Sequence, residues 1–214
     1  MSGHEQLIDS LVSDLAPSRP LPRLWLLALA WLLPAAIFVV VITGLLGPLR
    51  PNAFSQLAGE PRFLLETLLG VVAIAVAALV AFYSAVPGAI NRRWQMAALW
   101  LIGLWLLNYV VGLAYPALEP SMLGKRDHCV FETFLYALPP LIVGLVVLQR
   151  RLYPLQPLRS AVLAGLVAGM LPALYMQIAC MYTPLHILKF HIAPGLMVAL
   201  VAPLLMLALR RWMA

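Results

Sequence analysis

The chain has 214 residues, of which 64% are hydrophobic and only 10% are charged, and its mean hydropathy is +0.96. A water-soluble surface cannot be built from this composition, so it excludes a soluble globular protein and indicates a membrane protein. The net charge of +6 matches the basic residues expected on one side of such a protein, and it gives no reason to expect direct nucleic-acid binding.

Residues 1–22 form a polar tail ahead of the first apolar stretch. Ser2 and Glu5 have the spacing of a capping box, and Pro17 is expected to end the helix that they begin. Apolar residues recur at helical spacing between these limits: Leu7, Ile8, Leu11, Val12 and Leu15. The tail therefore predicts an amphipathic helix of about three turns.

The opposite face of this helix is acidic. It carries Asp9 and Asp14, and no basic residue precedes Arg19. Because a helix on an anionic membrane surface is normally rich in Lys and Arg, a groove on a basic partner protein is the better match. Residues 17–22, which are rich in proline, would then be a short stiff tether. The alternative is a helix that folds against the cytoplasmic mouth of the chain's own bundle.

Six apolar stretches follow the tail, at about residues 24–46, 63–86, 96–115, 131–148, 160–182 and 192–209. Most approach or exceed the ~20 residues that a helix needs to cross ~30 Å of hydrocarbon. We therefore expect an all-α protein in two parts, with the tail at residues 1–22 and a bundle of six transmembrane helices at residues 23–214.

Basic residues are divided unevenly between the two sets of loops. Nine of the 14 flank spans on the side of the two termini: Arg19, Arg23, Arg92, Arg93, Arg150, Arg151, Arg159, Arg210 and Arg211. The others lie on the opposite side, where acidic residues largely balance them: Arg50, Arg62, Lys125, Arg126 and Lys189. Because short cytoplasmic loops retain Lys and Arg, both termini are predicted to be cytoplasmic.

Both cysteines, Cys129 and Cys180, fall at the outer ends of the fourth and fifth spans, and three histidines lie in the same outer segments: His128, His186 and His191. Thiolate and imidazole bind soft or borderline metal ions, and two thiols also form disulfides. Neither CxxC nor HxxxH spacing is present, so any site must be assembled from separate segments. One interpretation of these residues is a metal or redox site. The other is a pair of inert thiols or a structural disulfide, which would close a loop of about 52 residues and contribute ~4 kcal/mol to the stability of the fold.

Four polar residues lie in the outer halves or at the outer ends of spans: Glu66, Asn108, Glu132 and Gln177. Such groups usually face the bundle interior, so we expect hydrogen bonds between helices. Gly165 and Gly169, four residues apart in the fifth span, predict a close helix contact.

Three features of the chain together point to a known family. They are the opening segment LIDSLVSDLAP at residues 7–17, six spans within about 210 residues, and single cysteines at the outer ends of spans four and five. In these features the chain resembles the NrsF-type membrane anti-sigma factors, which are negative regulators of extracytoplasmic-function sigma factors of the sigma-F group. The resemblance covers essentially the whole chain.

The resemblance implies a bacterial inner-membrane protein whose cytoplasmic tail holds an extracytoplasmic-function sigma factor inactive. The apolar tail residues, with Asp9 and Asp14, are then the expected sigma-factor contacts. It also implies that Cys129 and Cys180 are needed to respond to heavy-metal or oxidative stress. His128, His186 and His191 are candidate auxiliary ligands for a transiently bound soft metal ion. No catalysis and no obligatory cofactor are expected.

Two alternatives come from other functional classes. One is a small six-span transporter or metal-handling protein that uses the outer Cys/His residues together with Asn108 and Gln177. The other is a membrane thiol oxidoreductase, which the lack of a CxxC pair disfavours because no adjacent dithiol is present to pass electrons.

Reporter fusions test the predicted orientation. Fusions at three positions are expected to report the cytoplasm: Arg93, Arg151 and Arg211. Fusions at three others are expected to report the periplasm: Asn52, Lys125 and Thr183. A periplasmic signal at Arg151 would contradict the topology, because the charge bias of that loop is its strongest support.

Overall fold

The structure is a computed structural model that describes residues 3–13 and 21–213. Within these ranges the α-helices are α1 Gly3–Ser13, α2 Leu24–Leu46, α3 Ala53–Gly59, α4 Pro61–Ser84, α5 Arg92–Gly112, α6 Cys129–Val147, α7 Pro157–Ala179, α8 Pro184–Ile187 and α9 Ala193–Met213. Two π-helical turns, Leu148–Leu152 and Leu188–Ile192, extend α6 and join α8 to α9. The described residues contain no strand, so the predicted all-α class is confirmed for them.

Six helical segments are long and apolar enough to cross a membrane: Leu24–Leu46, Pro61–Ser84, Arg92–Gly112, Cys129–Leu152, Pro157–Ala179 and Pro184–Met213. The predicted number of spans is therefore confirmed. The sixth span departs most from prediction, since it begins at Pro184 instead of about residue 192. The predicted boundary followed the apolar run, whereas the helical backbone continues through the polar residues around Lys189 by means of the π-helical turn.

The loops gather at two ends of the bundle. At one end, which we call the cysteine end, the Arg50 amide donates to the Ala179 carbonyl at 2.8 Å and the Ser121 amide to the Tyr182 carbonyl at 3.0 Å. At the other, which we call the basic end, Arg159 hydrogen-bonds with Gln95, and Arg150 and Arg151 line a cavity with Trp212. This grouping agrees with the alternation of loops read from the sequence. The assignment of the basic end to the cytoplasm stays a prediction.

The central helix is α7, which packs against α9, α6, α4 and α2 and is buried along most of its length. Its approach to α9 depends on glycine. A Cβ at Gly169 would overlap the carbonyl oxygen of Gly195, and one at Gly165 would lie 2.6 Å from the Ala202 Cβ. The predicted close helix contact at Gly165 and Gly169 is thus confirmed, with α9 as the partner.

Replacing Gly169 with alanine is expected to lower the stability of the bundle by about 1–3 kcal/mol, the usual range for overpacking. The added methyl group would meet backbone atoms of Gly195, which cannot rotate away as a flexible side chain can. The matched control is Gly103→Ala in α5, where a Cβ meets nothing within 4 Å. Thermal unfolding in detergent measures both variants, and equal midpoints for Gly169→Ala and the wild type would contradict the expectation.

Candidate functional site

Two cysteines and two histidines meet at the cysteine end. Cys129 is the first residue of α6, Cys180 directly follows α7, His186 lies in α8 and His191 lies in the second π-helical turn. Each side chain offers one ligand atom, a sulfur or a ring nitrogen, and these atoms all lie within 4.8 Å of one another. We call these four residues the Cys/His cluster. His128, the third histidine predicted for this site, is not among them.

The two cysteines of the cluster are buried free thiols. Their sulfur atoms are 3.5 Å apart, and the Cys180 Sγ lies 3.7 Å from the Nε2 atom of His186. The Cys129 Sγ also lies 3.2 Å from the carbonyl oxygen of Arg126. The Cys129 thiol is therefore within reach of two acceptors, a carbonyl oxygen and the second sulfur.

The two histidines of the cluster are held differently. His186 is half-buried and stacks on Phe190, with ring centroids 4.8 Å apart. His191 is fully buried, and its Nδ1 lies 3.4 Å from the Thr133 hydroxyl. That hydroxyl donates to the Cys129 carbonyl at 2.8 Å, so its oxygen is left to accept from an Nδ1–H group. This tautomer puts the lone pair on Nε2, which has no partner among the described residues.

The second π-helical turn brings these two histidines together, a contact that their spacing in the sequence does not predict. His186 and His191 are five residues apart, which in an α-helix separates them by about 140° around the axis. A π-helical turn has i→i+5 hydrogen bonds and rotates less per residue. The two imidazole rings consequently meet edge to face, with centroids 5.0 Å apart. Such turns occur frequently at functional sites.

Arg126 fixes the loop that precedes Cys129. Its guanidinium, which is almost fully buried, pairs with the Glu132 carboxylate at 2.7 and 3.2 Å. It also donates to the Thr43 and Pro48 carbonyls at 3.3 and 2.9 Å. Burial opposes the charge, but the hydrogen bonds and attraction of Glu132 outweigh it and raise the pKa of Arg126. The start of α6 is thereby tied to the end of α2.

A second polar network lies beside the cluster. The Asn108 amide donates to the Glu66 carboxylate at 2.7 Å, and the Tyr182 hydroxyl donates to the same carboxylate at 3.2 Å. The Gln177 amide donates to the Thr67 hydroxyl at 2.7 Å. The hydrogen bonds between helices predicted for Asn108 and Gln177 are therefore confirmed, with α4 as the partner of both.

Arg50 is a buried cation that the sequence does not single out among the loop arginines. Its guanidinium carbon lies 5.3 Å from the ring centroid of Phe63 and 5.7 Å from that of Tyr182. None of its side-chain nitrogens has a hydrogen-bond partner in the described ranges. Burial lowers the pKa of Arg50, and the two aromatic faces supply cation–π attraction in place of a carboxylate.

A groove of about 680 Å³ opens onto the cluster. Residues 125–131 form one wall, and His186 and Phe190 lie on another. Cys129, which is almost fully buried, and His186 line the groove, whereas Cys180 and His191 are fully buried. His128 also lines this groove as an exposed residue outside the cluster.

The tail helix α1 leaves its apolar stripe uncovered. Four large apolar side chains are between 56% and 60% exposed: Leu7, Ile8, Leu11 and Val12. No residue of α1 is buried, and Asp9 is exposed as well. The alternative of a tail folded against the bundle would require the described part of the chain to cover this helix. It does not cover it. Ser2, Asp14, Leu15 and Pro17 lie outside the described residues.

Comparison with known proteins gives one family. The sequence model of NrsF, described as negative regulator of sigma F, matches residues 11–212. No curated protein and no solved structure matches the chain. The matched range includes the whole Cys/His cluster and begins within the apolar stripe, at Leu11. The description is that of a regulator with a sigma factor as its partner, not that of an enzyme. Because the match covers nearly the whole chain, this protein belongs to the NrsF family of negative regulators of sigma F.

Proposed function

We propose that this protein is an anti-sigma factor of the bacterial inner membrane that holds an extracytoplasmic-function sigma factor inactive through its N-terminal tail. We further propose that heavy-metal or oxidative stress acts on Cys129 and Cys180 and releases the sigma factor. The observation that carries the proposal is the uncovered apolar stripe of α1 in a chain that belongs to a family of sigma-factor regulators.

The physical chemistry of α1 favours a partner protein. A helix of 11 residues is marginally stable alone in water, so it needs a surface to pack against. Each large apolar side chain contributes about 1.5–3 kcal/mol when it moves from water to a fully buried position. The stripe is thus suited to a groove on the sigma factor, and Asp9 on the other side of the helix is suited to a basic rim.

The input to this regulator is proposed to lie at the cysteine end. The cluster joins the start of α6, the end of α7 and the segment before α9. Helices α7 and α9 pack along each other, and α9 continues to Arg210 and Arg211 at the basic end. This packed pair supplies a rigid connection between the two ends. A stimulus shifts the protein toward a releasing state only by its difference in affinity for the two states.

Leu11→Asp is expected to release the sigma factor without any stress. A charge placed in the proposed apolar interface has no partner and costs several kcal/mol, whereas only ~1.4 kcal/mol corresponds to a tenfold loss of affinity. We therefore expect constitutive sigma-dependent transcription and a loss of co-purification with the full-length protein of at least tenfold.

The matched control is Gln6→Asp, which puts the same charge on the polar face of the same helix and is expected to leave repression intact. Membrane levels of both variants are measured by immunoblot. Low transcription from a Leu11→Asp protein that accumulates normally would show that the stripe does not hold the sigma factor.

Cys129→Ser and Cys180→Ser are each expected to abolish induction by heavy metal or oxidant while basal repression persists, because α1 is unchanged. The control is Met122→Ser, which removes a sulfur atom from an exposed residue on the same groove but outside the cluster. Stress-dependent reporter transcription measures the effect. Normal induction in the double Ser variant would contradict the proposal. Constitutive transcription with loss of protein would also contradict it, because that pattern marks the thiols as structural.

A further inference from the structure

The geometry points to a four-ligand site for a zinc-group divalent cation, Zn²⁺ or Cd²⁺, formed by Cys129, Cys180, His186 and His191. This inference deepens the sensing part of the proposed function and rests on it for its regulatory consequence only. It adds His186 and His191 as coordinating ligands, and it makes the site a closed tetrahedral one.

The distances within the cluster are close to those of a tetrahedral site. Metal–sulfur bonds of about 2.3 Å and metal–nitrogen bonds of about 2.1 Å put neighbouring ligand atoms about 3.4–3.8 Å apart. The two sulfur atoms are 3.5 Å apart, and the Cys180 Sγ is 3.7 Å from the His186 Nε2. Since all four ligand atoms lie within 4.8 Å of one another, closure around an ion needs shifts of only ~1 Å.

The donor set selects the ion. Two thiolates and two neutral imidazoles are the ligands of structural zinc sites, and they favour soft or borderline ions over Mg²⁺ or Ca²⁺, which prefer oxygen. Each thiol gives up its proton when it binds. Two thiolates then balance the charge of a divalent cation, which matters because Cys180 and His191 are fully buried and an uncompensated charge there would be costly.

The surroundings of His191 prepare it as a ligand. The Thr133 hydroxyl occupies the Nδ1 side of the ring and leaves the buried Nε2 with an unshared lone pair and no partner in the described ranges. A hydrogen bond to the second ring nitrogen is the usual way in which proteins orient a metal-bound histidine.

The groove supplies an access route. Cys129 and His186 line it, so an ion can approach these two residues from the groove before it reaches Cys180 and His191. Once bound, the ion would tie the start of α6 and the end of α7 to the turn before α9. A four-ligand site leaves no open position for substrate, which fits regulation better than catalysis.

The test uses the purified full-length protein, reduced and freed of metal in detergent. Titration with Cd²⁺ is followed by thiolate-to-metal charge-transfer absorption, and Co²⁺ serves as a second probe because its visible bands report tetrahedral coordination. We expect one ion per chain and tetrahedral bands. His186→Ala is expected to weaken Cd²⁺ binding at least tenfold, since even the loss of an outer hydrogen-bond partner of a ligand typically costs 10–100-fold.

Two further variants make the outcome decisive. His128→Ala, which changes the exposed histidine of the same groove, is the matched control and should bind Cd²⁺ as the wild type does. His191→Gln should weaken binding like His186→Ala, and its thermal unfolding is recorded because the residue is buried. No binding by the wild type, or unchanged affinity in His186→Ala, would overturn the four-ligand site.

Failure of this inference is distinguishable from failure of the proposed function. If Cd²⁺ does not bind but Cys129→Ser still abolishes induction, the thiols act by redox chemistry and only the metal site is wrong. If Cd²⁺ binds as expected but His186→Ala cells respond normally to cadmium, the metal site stands and the sensing role does not.

Discussion

The contact between α7 and α9 is the constraint on which the rest of the bundle depends. Lipid tails are as apolar as leucine, so helices in a membrane gain little from hydrophobic burial and associate through close packing and polar contacts. Gly165, Gly169 and Gly195 remove the side chains that would hold these two backbones apart. The end of α7, which Cys180 directly follows, is thereby set against the π-helical turn that carries His191.

Polar contacts position Cys129, which α6 contributes to the Cys/His cluster. Cys129 belongs to α6, and the loop ahead of it is held by the Arg126 guanidinium against Glu132 and two carbonyls near the end of α2. Tyr182 and Arg50 secure the other loops at the cysteine end, through the Glu66 carboxylate and through cation–π contacts. The cysteine end is thus a small polar core in an otherwise apolar protein. Because buried polar groups are costly unless satisfied, the hydrogen bonds of Arg126 with Glu132 and of Asn108 with Glu66 favour this arrangement of the helices.

The Cys/His cluster and the tail helix, the two regions to which we propose a function, differ in how far they are packed within the chain itself. Three of the four residues of the Cys/His cluster are buried, and their sulfur and ring-nitrogen atoms lie within 4.8 Å of one another. The tail helix exposes the surface that it would use for binding, which suits a segment that acquires its packing from a partner. Under the proposed function, the stimulus at the cysteine end and the release of the partner from the tail are coupled through the long helices between them.

Local and periodic features were readable from the amino-acid sequence. Six apolar runs of sufficient length determined the number of spans, the spacing of Leu7, Leu11 and their neighbours determined the amphipathic helix, and Gly165 with Gly169 indicated the close helix contact. Each of these depends on residues near one another in the chain. The co-location of Cys129 and Cys180 at one end followed from counting spans.

The composition of the site depended on tertiary structure. His128, adjacent to Cys129 in sequence, lies outside the cluster on the groove, whereas His191, which is 62 positions after Cys129, is a member. A π-helical turn brings His186 and His191 together, and no hydrophobic period predicts such a turn. The buried state of Arg50 likewise arises from packing between loops that are distant in sequence. The number of helices and their amphipathicity follow from the local order of side chains. Which helices are neighbours at the cysteine end, and in which register, depends on which backbones approach closely enough to exclude lipid and to satisfy one another's polar groups.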